Sequence, residues 1–258
     1  MSATTASHTL DVSGTRRTPF TRLVSVELRK MADTRAGIWL LAAIALITVA
    51  IILIVFFNTD PSDRTFFNFM GATSTPQGFL LPVLGILLVT SEWNQRTTLT
   101  TFTLEPSRVR VIAAKTVAAT IFGLGAIVVA CLIALVAALV GGANDAFRDI
   151  AADDFGKFAI LQLLAVLQGV AFGVLFLNSA AAIVAYFVLP IAFTVVAQFW
   201  GTLNEIAAWV DLGTAQVPLF NDGGMTGEEW AQLGSVTLLW VVLPFAVGLW
   251  RVLRSEMK

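Results

Sequence analysis

The stretch FAILQLLAVLQGVAFGVLFLNSAAAIVAYFVLPIAFTVVAQFWGTLN, residues 158–204, carries no charged side chain over 47 positions. One membrane-crossing helix needs about 20 mostly apolar residues to cover roughly 30 Å of hydrocarbon. The run is therefore too long for one crossing and the right length for two. Asn178-Ser179, near its middle, is the natural tight turn, which places spans at about 157–177 and 180–200.

Upstream, Ile38 to Phe57 is uncharged throughout and predicts a first span over 38–57. A weaker run predicts a second over 72–90, with Pro76, Pro82, Gly78 and Gly85 inside it. Such residues are tolerated in membrane helices, where neighbours can re-satisfy the backbone. A third span is expected over 111–140, with Lys115 in its first turns. Downstream, a last span over 233–250 contains Pro244, where a kink is expected. The fold class is thus an all-α membrane protein with six transmembrane helices. The composition agrees: 57 % of residues are hydrophobic and 13 % charged, against roughly 45–50 % and about 25 % in soluble domains. A soluble chain this apolar would expose large sticky patches.

The charges give the orientation. With the N-terminus in the cytoplasm, thirteen Lys and Arg lie inside: Arg16, Arg17, Arg22, Arg29, Lys30 and Arg35 before the first span, Arg96, Arg108, Arg110 and Lys115 between the second and third, and Arg251, Arg254 and Lys258 at the end. Only Arg64, Arg148 and Lys157 fall outside. This asymmetry satisfies the positive-inside rule, puts both termini in the cytoplasm and requires an even number of spans. Residues 1–19, rich in Ser and Thr, read as a disordered cytoplasmic tail, and 20–258 as a single transmembrane domain. No cleavable signal peptide is apparent, because the first apolar run starts too late. Cys131 stands alone in an apolar run, which excludes an intrachain disulfide.

Three segments outside the spans hold the informative residues. In Phe20 to Asp33, Phe20, Leu23, Val24, Leu28 and Met31 share one helical face, and Arg22, Ser25, Arg29 and Asp33 the other. The pattern predicts an amphipathic helix on the cytoplasmic membrane surface. Glu27 projects from its apolar face, where a carboxylate is costly unless paired. Either it pairs with Lys30 at i+3 or snorkels to the interface, or it makes a buried contact with the basic segment between spans two and three. That segment, from Ser91 to Pro106, is polar yet carries Trp93, Leu99, Phe102 and Leu104. It reads either as a loop at the headgroups, anchored by Trp93, or as a docking element for a cytoplasmic partner. Pro106 can open the next helix, whose Arg108 and Lys115, seven apart, share a face. The outer segment Gly201 to Gln232 interleaves five acids with Trp209, Val210, Leu212, Val217, Leu219, Phe220 and Trp230. It predicts a short re-entrant or interfacial helix near 203–212, a turn at 222–224 and an acidic face in solvent.

Several chemistries lack their residues. The single histidine, His8, sits in the tail, which argues against His-based metal sites and Ser-His catalysis. No Gly-x-x-x-x-Gly-Lys-Ser/Thr loop occurs, so ATP binding by a P-loop in this chain is not expected. No enzymatic activity and no nucleic-acid partner are expected. The span interiors carry no acid or base, which argues against ion-coupled transport. Buried polarity is limited to groups such as Gln162, Gln168, Asn178, Thr194 and Gln198. Gln162, Gln168, Asn178 and Gln198 are the weak candidates for a translocation path; helix-to-helix hydrogen bonding is the alternative. Ala165, Gly169 and Gly173 form a small-xxx-small stripe that favours close helix packing.

Thr90-Ser91-Glu92-Trp93, Arg96-Thr97, Leu99-Thr100-Thr101-Phe102, Pro106, Arg108 and Lys115, together with Glu27-Leu28-Arg29-Lys30 and Asp33-Thr34-Arg35 before the first span and the basic tail Arg251 to Lys258, resemble the type-2 exporter permeases of the ATP-binding-cassette (ABC) family. The resemblance covers nearly the whole chain. It implies a permease in the bacterial cytoplasmic membrane that pairs with a second permease subunit, as homodimer or heterodimer, and that contacts membrane lipids. It implies that ATP and Mg are bound by separate ATPase subunits docked beneath, not by this chain. It makes Glu92, Trp93, Arg96, Thr97, Phe102 and Arg108 candidate coupling positions, and Glu27 a candidate lock between the N-terminal helix and the following loop. It does not imply a substrate, though multidrug efflux is one family activity. A non-transport membrane anchor or scaffold, or a stand-alone channel or carrier, are the alternatives from the residues themselves.

Overall fold

In the computed structural model, residues 18–95, 97–143, 145–147, 152–221 and 223–254 are described. Among them there is no strand. Twelve helices follow one another: α1 Phe20–Asp33, α2 Arg35–Asn58, α3 Phe66–Asn94, α4 Thr98–Leu104, α5 Arg108–Gly141, α6 Ala152–Phe176, α7 Ser179–Phe199, α8 Gly201–Glu205, α9 Ala207–Val210, α10 Leu212–Gln216, α11 Gly227–Thr237 and α12 Leu243–Arg254. A π turn, Leu238–Val242, joins α11 to α12. Six helical stretches are long and apolar enough to cross a membrane: α2, α3, α5, α6, α7 and the continuous run Gly227–Arg254. The chain is thus a multi-pass membrane protein.

Local chemistry sets the breaks. Thr34 accepts from the Gly37 amide and ends α1 against α2. Thr65 caps α3 through the Asn68 amide, and Asn178 caps α7 through the Ala181 amide. Thr226 and Glu229 form a reciprocal capping box at the start of α11. Gly142, at φ 72°, closes α5 in the left-handed region that glycine occupies without cost. The turn between α6 and α7 falls at Leu177-Asn178, one residue before the expected Asn178-Ser179, and Ser179 already opens α7. The irregularity expected at Pro244 takes the form of the π turn just before it, where the Leu243 amide bonds the Leu238 carbonyl.

Packing distinguishes centre from periphery. The most apolar windows of α3 and α6 are 56 % and 61 % buried, against 17 % for α2 and 11 % for α7. The α3–α6 pair is the pillar on which the other spans lean. Its closeness comes from the small-residue stripe. A Cβ on Gly169 would sit 2.3 Å from the Pro82 carbonyl oxygen, and one on Gly85 would sit 2.9 Å from the Val166 carbonyl. Gly173 lies against Ile86 and Val89. Gly248 does the same for α12, whose backbone comes against Val174 and Leu175 of α6. Pro82 lacks the amide that would bond the Gly78 carbonyl; the Tyr186 hydroxyl of α7 donates to that carbonyl at 3.4 Å. One apolar cluster, with Ile44, Leu81, Leu84, Leu88, Ile112 and Val170, fills the half nearest α1. A second, with Ile52, Phe66, Phe69, Ala134 and Phe158, fills the other half.

Two expectations are corrected here. The segment after α7 forms three short helices, α8 to α10, instead of one helix near 203–212. Its acids do not all face solvent. Asp211 is fully buried, accepting from the Thr194 hydroxyl at 2.6 Å and from the Thr214 amide and hydroxyl at 2.8 and 2.7 Å. An acid that caps α10 and meets a Thr of α7 has its lone pairs satisfied without water. Of the tail expected over 1–19, residues 1–17 lie outside the described residues, as does Asp222 of the expected turn. Thr18 accepts a hydrogen bond from Arg110.

The close α3–α6 contact makes a prediction. Gly169→Ala should lower the melting temperature in detergent by several degrees, an overpacking cost of about 1–3 kcal/mol. Gly125→Ala, where an added Cβ meets nothing within 4 Å, should leave it unchanged. Equal melting of the two variants in a thermal-shift assay would remove the glycine contact as the cause of the pillar.

Candidate functional site: a buried ion cluster beside α4

Glu27 shares a helical stripe with Val24 and Met31, and all three are buried. The same geometry that buries the apolar residues of α1 carries this carboxylate inward. There it meets Lys115, in the second turn of α5, which it shares with Glu92 in the last turn of α3. Lys115 of α5, fully buried, donates to Glu27 Oε2 at 2.7 Å and lies 3.3 Å from Glu92 Oε1. Lys30 donates to Glu27 Oε1 at 2.7 Å and to Glu92 Oε1 at 2.5 Å. Lys115 also donates to the Leu88 carbonyl at 3.2 Å. Two carboxylates and two ammonium groups thus alternate, and their formal charges cancel. An isolated buried charge costs several kcal/mol, so Glu27, Glu92 and Lys115 require partners; Lys30, whose side chain is 40 % exposed, closes the set from the surface.

The electrostatics favour this charge state. Burial pulls the Lys30 ammonium down, but hydrogen bonds to Glu27 and Glu92 and their fields outweigh it, so its pKa is raised above the ordinary 10.5. A raised folded pKa contributes stability that is whole below the unfolded value and lost as pH rises through the folded value. The Lys30 contribution therefore holds at neutral pH and is lost only above about pH 10.5. Glu92, at the last turn of α3, faces the negative end of the helix dipole; the two lysines offset that position.

Around this cluster the coupling candidates divide. The local pair weighed for Glu27, with Lys30, is present; its second partner is Lys115 of α5, beyond the Ser91–Pro106 segment, whose Glu92 shares both lysines with Glu27. Arg108 turns elsewhere. It donates to the Val252 carbonyl and, at 3.4 Å, to the Leu253 carbonyl near the end of α12, and stands 5.7 Å over the Phe102 ring. Phe102 is buried and meets Trp93 edge to face at 6.2 Å. The Thr97 amide bonds the Glu92 carbonyl at 2.9 Å, and Thr97 itself is exposed. Arg96 lies outside the described residues. The segment read as a polar loop holds a two-turn helix, α4, with Phe102 inward and Leu99 and Leu104 outward. Glu105 pairs with Arg110 at 2.8 Å.

The path candidates do not converge. Gln162 and Gln168 are both buried within α6. Neither side-chain polar atom of Gln162 has a hydrogen-bond partner among the described residues, so helix-to-helix bonding does not account for it. Asn178 caps the start of α7, while Gln198 is exposed near its other end, about 30 Å away at 1.5 Å per residue.

Lys30 and Lys115 were visible as bases, but neither was named as a coupling position. Lys157 is a further residue that sequence reasoning missed. It is nearly buried, donates to the Asn221 carbonyl at 3.0 Å and to that of Gly223, and lies 3.4 Å from Asp153 and 3.6 Å from Asp154. It ties the start of α6 to the segment following α10. No protein-family model and no curated protein sequence matches this chain.

The cluster predicts strong coupling. Lys115→Met should destabilise by about 3–5 kcal/mol, because it strands part of the negative charge, and Glu27→Gln should also destabilise. The double variant, neutral again, should recover a large part of the loss. Melting temperatures of the four proteins check this; strictly additive effects would show that Lys115 and Glu27 do not act as a pair.

Proposed function

We propose that the chain is the transmembrane permease subunit of an ATP-driven exporter of the type-2 ABC class. In this reading two permease subunits form the path across a bacterial cytoplasmic membrane, and separate ATPase subunits bind ATP and Mg and dock at α4. Both termini are cytoplasmic, α1 lies along the inner membrane surface, and α8 to α10 fold back on the outer side. The observation that carries the reading is the neutral ion cluster of Glu27, Lys30, Glu92 and Lys115, which fastens α1 to α3 and α5 directly beside α4. A force applied at α4 would meet a fastened unit instead of a loose loop. The outward Leu99 and Leu104 of α4, 49 % and 78 % exposed, supply the apolar contact such docking needs. The thirteen-to-three excess of bases on the same side agrees with it.

The test is co-purification with an ABC ATPase encoded beside the gene. The wild-type pair should co-elute and show ATP hydrolysis above that of the ATPase by itself. Replacing both Leu99 and Leu104 by Ser should weaken association about tenfold, some 1.4 kcal/mol, without lowering the permease melting temperature. If no such ATPase associates, the reading is wrong.

A further inference from the structure

A cleft of about 800 Å³ opens between α1, the end of α3, α4 and the start of α5. Its floor is apolar, with Met31, Leu88, Val111 and Ala114 buried in it, and Leu23 and Leu87 half-buried above them. The rim is different. Arg22, Thr97 and Thr100 are exposed there, with Ser91 and Thr101 half-buried beside them. The volume falls within the range of about 300–1,000 Å³ typical of ligand sites, and an apolar floor under a few polar groups is their usual chemistry.

The charges decide what kind of ligand fits. Three acids line the cleft, Glu27, Glu92 and Glu105. Each has an ion-pair partner: Glu27 and Glu92 share Lys30 and Lys115, with Glu92 Oε2 making no hydrogen bond among the described residues, and Glu105 pairs with Arg110. Arg22 has no ion-pair partner among the described residues, and it lines the same cleft as Ser91, Thr97, Thr100 and Thr101. The surplus at the rim is therefore positive and rich in hydrogen-bond donors, above a greasy floor. Arg29 and Arg35, both exposed, flank the exposed Asp33 at the end of α1.

We propose that this cleft is a binding site for an anionic phospholipid of the cytoplasmic leaflet. An acyl chain fills the apolar floor between α1 and α4, and the phosphate lies on Arg22 and the hydroxyls of Ser91, Thr97, Thr100 and Thr101. A basic group near an anionic leaflet is attracted to it, and burying the chain adds the hydrophobic contribution. The lipid would wedge α1 against α4, so its presence sets the spacing of the ion cluster's neighbours. The inference rests on the membrane reading of the fold and stands whether or not an ATPase docks at α4.

The experiment uses the purified full chain in detergent, with palmitoyl-oleoyl phosphatidylglycerol or phosphatidylcholine added, read by thermal melting and by native mass spectrometry. Phosphatidylglycerol should raise the melting temperature and remain bound as one tight copy; phosphatidylcholine should do neither. Arg22→Ala, a surface change, should at least halve the shift. Thr101→Trp, which fills the cleft, should abolish it. Val128→Trp, on the exposed face of α5, should keep it whole. Equal shifts with the two lipids, or an unchanged phosphatidylglycerol shift in Arg22→Ala, would overturn the proposal, as would a shift lost equally in Val128→Trp. Because no ATPase is present, failure here leaves the co-purification result untouched.

Discussion

Lys115 has no exposed surface, and an ammonium group withdrawn from water must find carboxylates or lose its proton. That requirement organises one end of the molecule. Glu92 comes from α3, which packs against α5, but Glu27 has to be delivered by a separate helix. The short N-terminal α1 is therefore held against the bundle by charge as well as by Val24 and Met31. Lys30 completes the set, because two carboxylates sharing one ammonium group would repel. With four groups the sum is zero and each anion has two cations within 3.3 Å. Replacing the whole cluster by apolar side chains would cost little in stability, by the logic of buried ion pairs. What such a cluster supplies instead is a tie among three helices, because its four groups come from α1, α3 and α5.

The pillar of α3 and α6 solves a different problem. Helices in lipid gain little from burying apolar surface against one another, because the surrounding acyl chains are as apolar as leucine. Close backbone approach replaces that gain with dispersion contacts. Gly85, Gly169, Gly173 and Gly248 allow it at the places where α3, α6 and α12 meet. The prolines of α3 fit the same economy: Pro82 forms part of the surface against Gly169, and the carbonyl it leaves without an amide is met by Tyr186. The most apolar windows of α2 and α7 are only 17 % and 11 % buried, so most of their surface faces outward.

The number of spans, the turn at Asn178 and the glycine stripe were legible because they depend on apolar length and spacing. The oddity of Glu27 was legible too, as a carboxylate on an apolar helical face. Its cross-bundle partner was less so: Lys115 stands eight residues into α5, and only the tertiary approach of α1 and α5 decides whether that turn faces water. Helix α4 was hidden by composition, since Thr98, Thr100, Thr101 and Thr103 have weak helix propensity and Phe102 supplies the burial that overrides it. Asp211 was misread because an acid among Trp, Val and Leu in a segment with no base looks solvated; threonines of α7 and α10, which leave no charge signature, are what bury it.

The two ends of the segment between α3 and α5 are tied to different parts of the bundle. At its start, Glu92 is held by the ion cluster and so by α1. After α4, Arg108 reaches the carbonyls of Val252 and Leu253 near the end of α12, and Arg251 of α12 in turn donates to the Leu175 carbonyl of α6 at 3.0 Å. Phe102 sits between these ties, under Arg108 and against Trp93. An arginine placed on helix C-terminal carbonyls satisfies acceptors that the helix itself leaves open. It also explains why a base expected to face a partner points inward. Helix α4 thus lies between Glu92 of α3, tied by charge to the first helix, and Arg108 of α5, tied by hydrogen bonds to the last, with Phe102 packed against the neighbours of both.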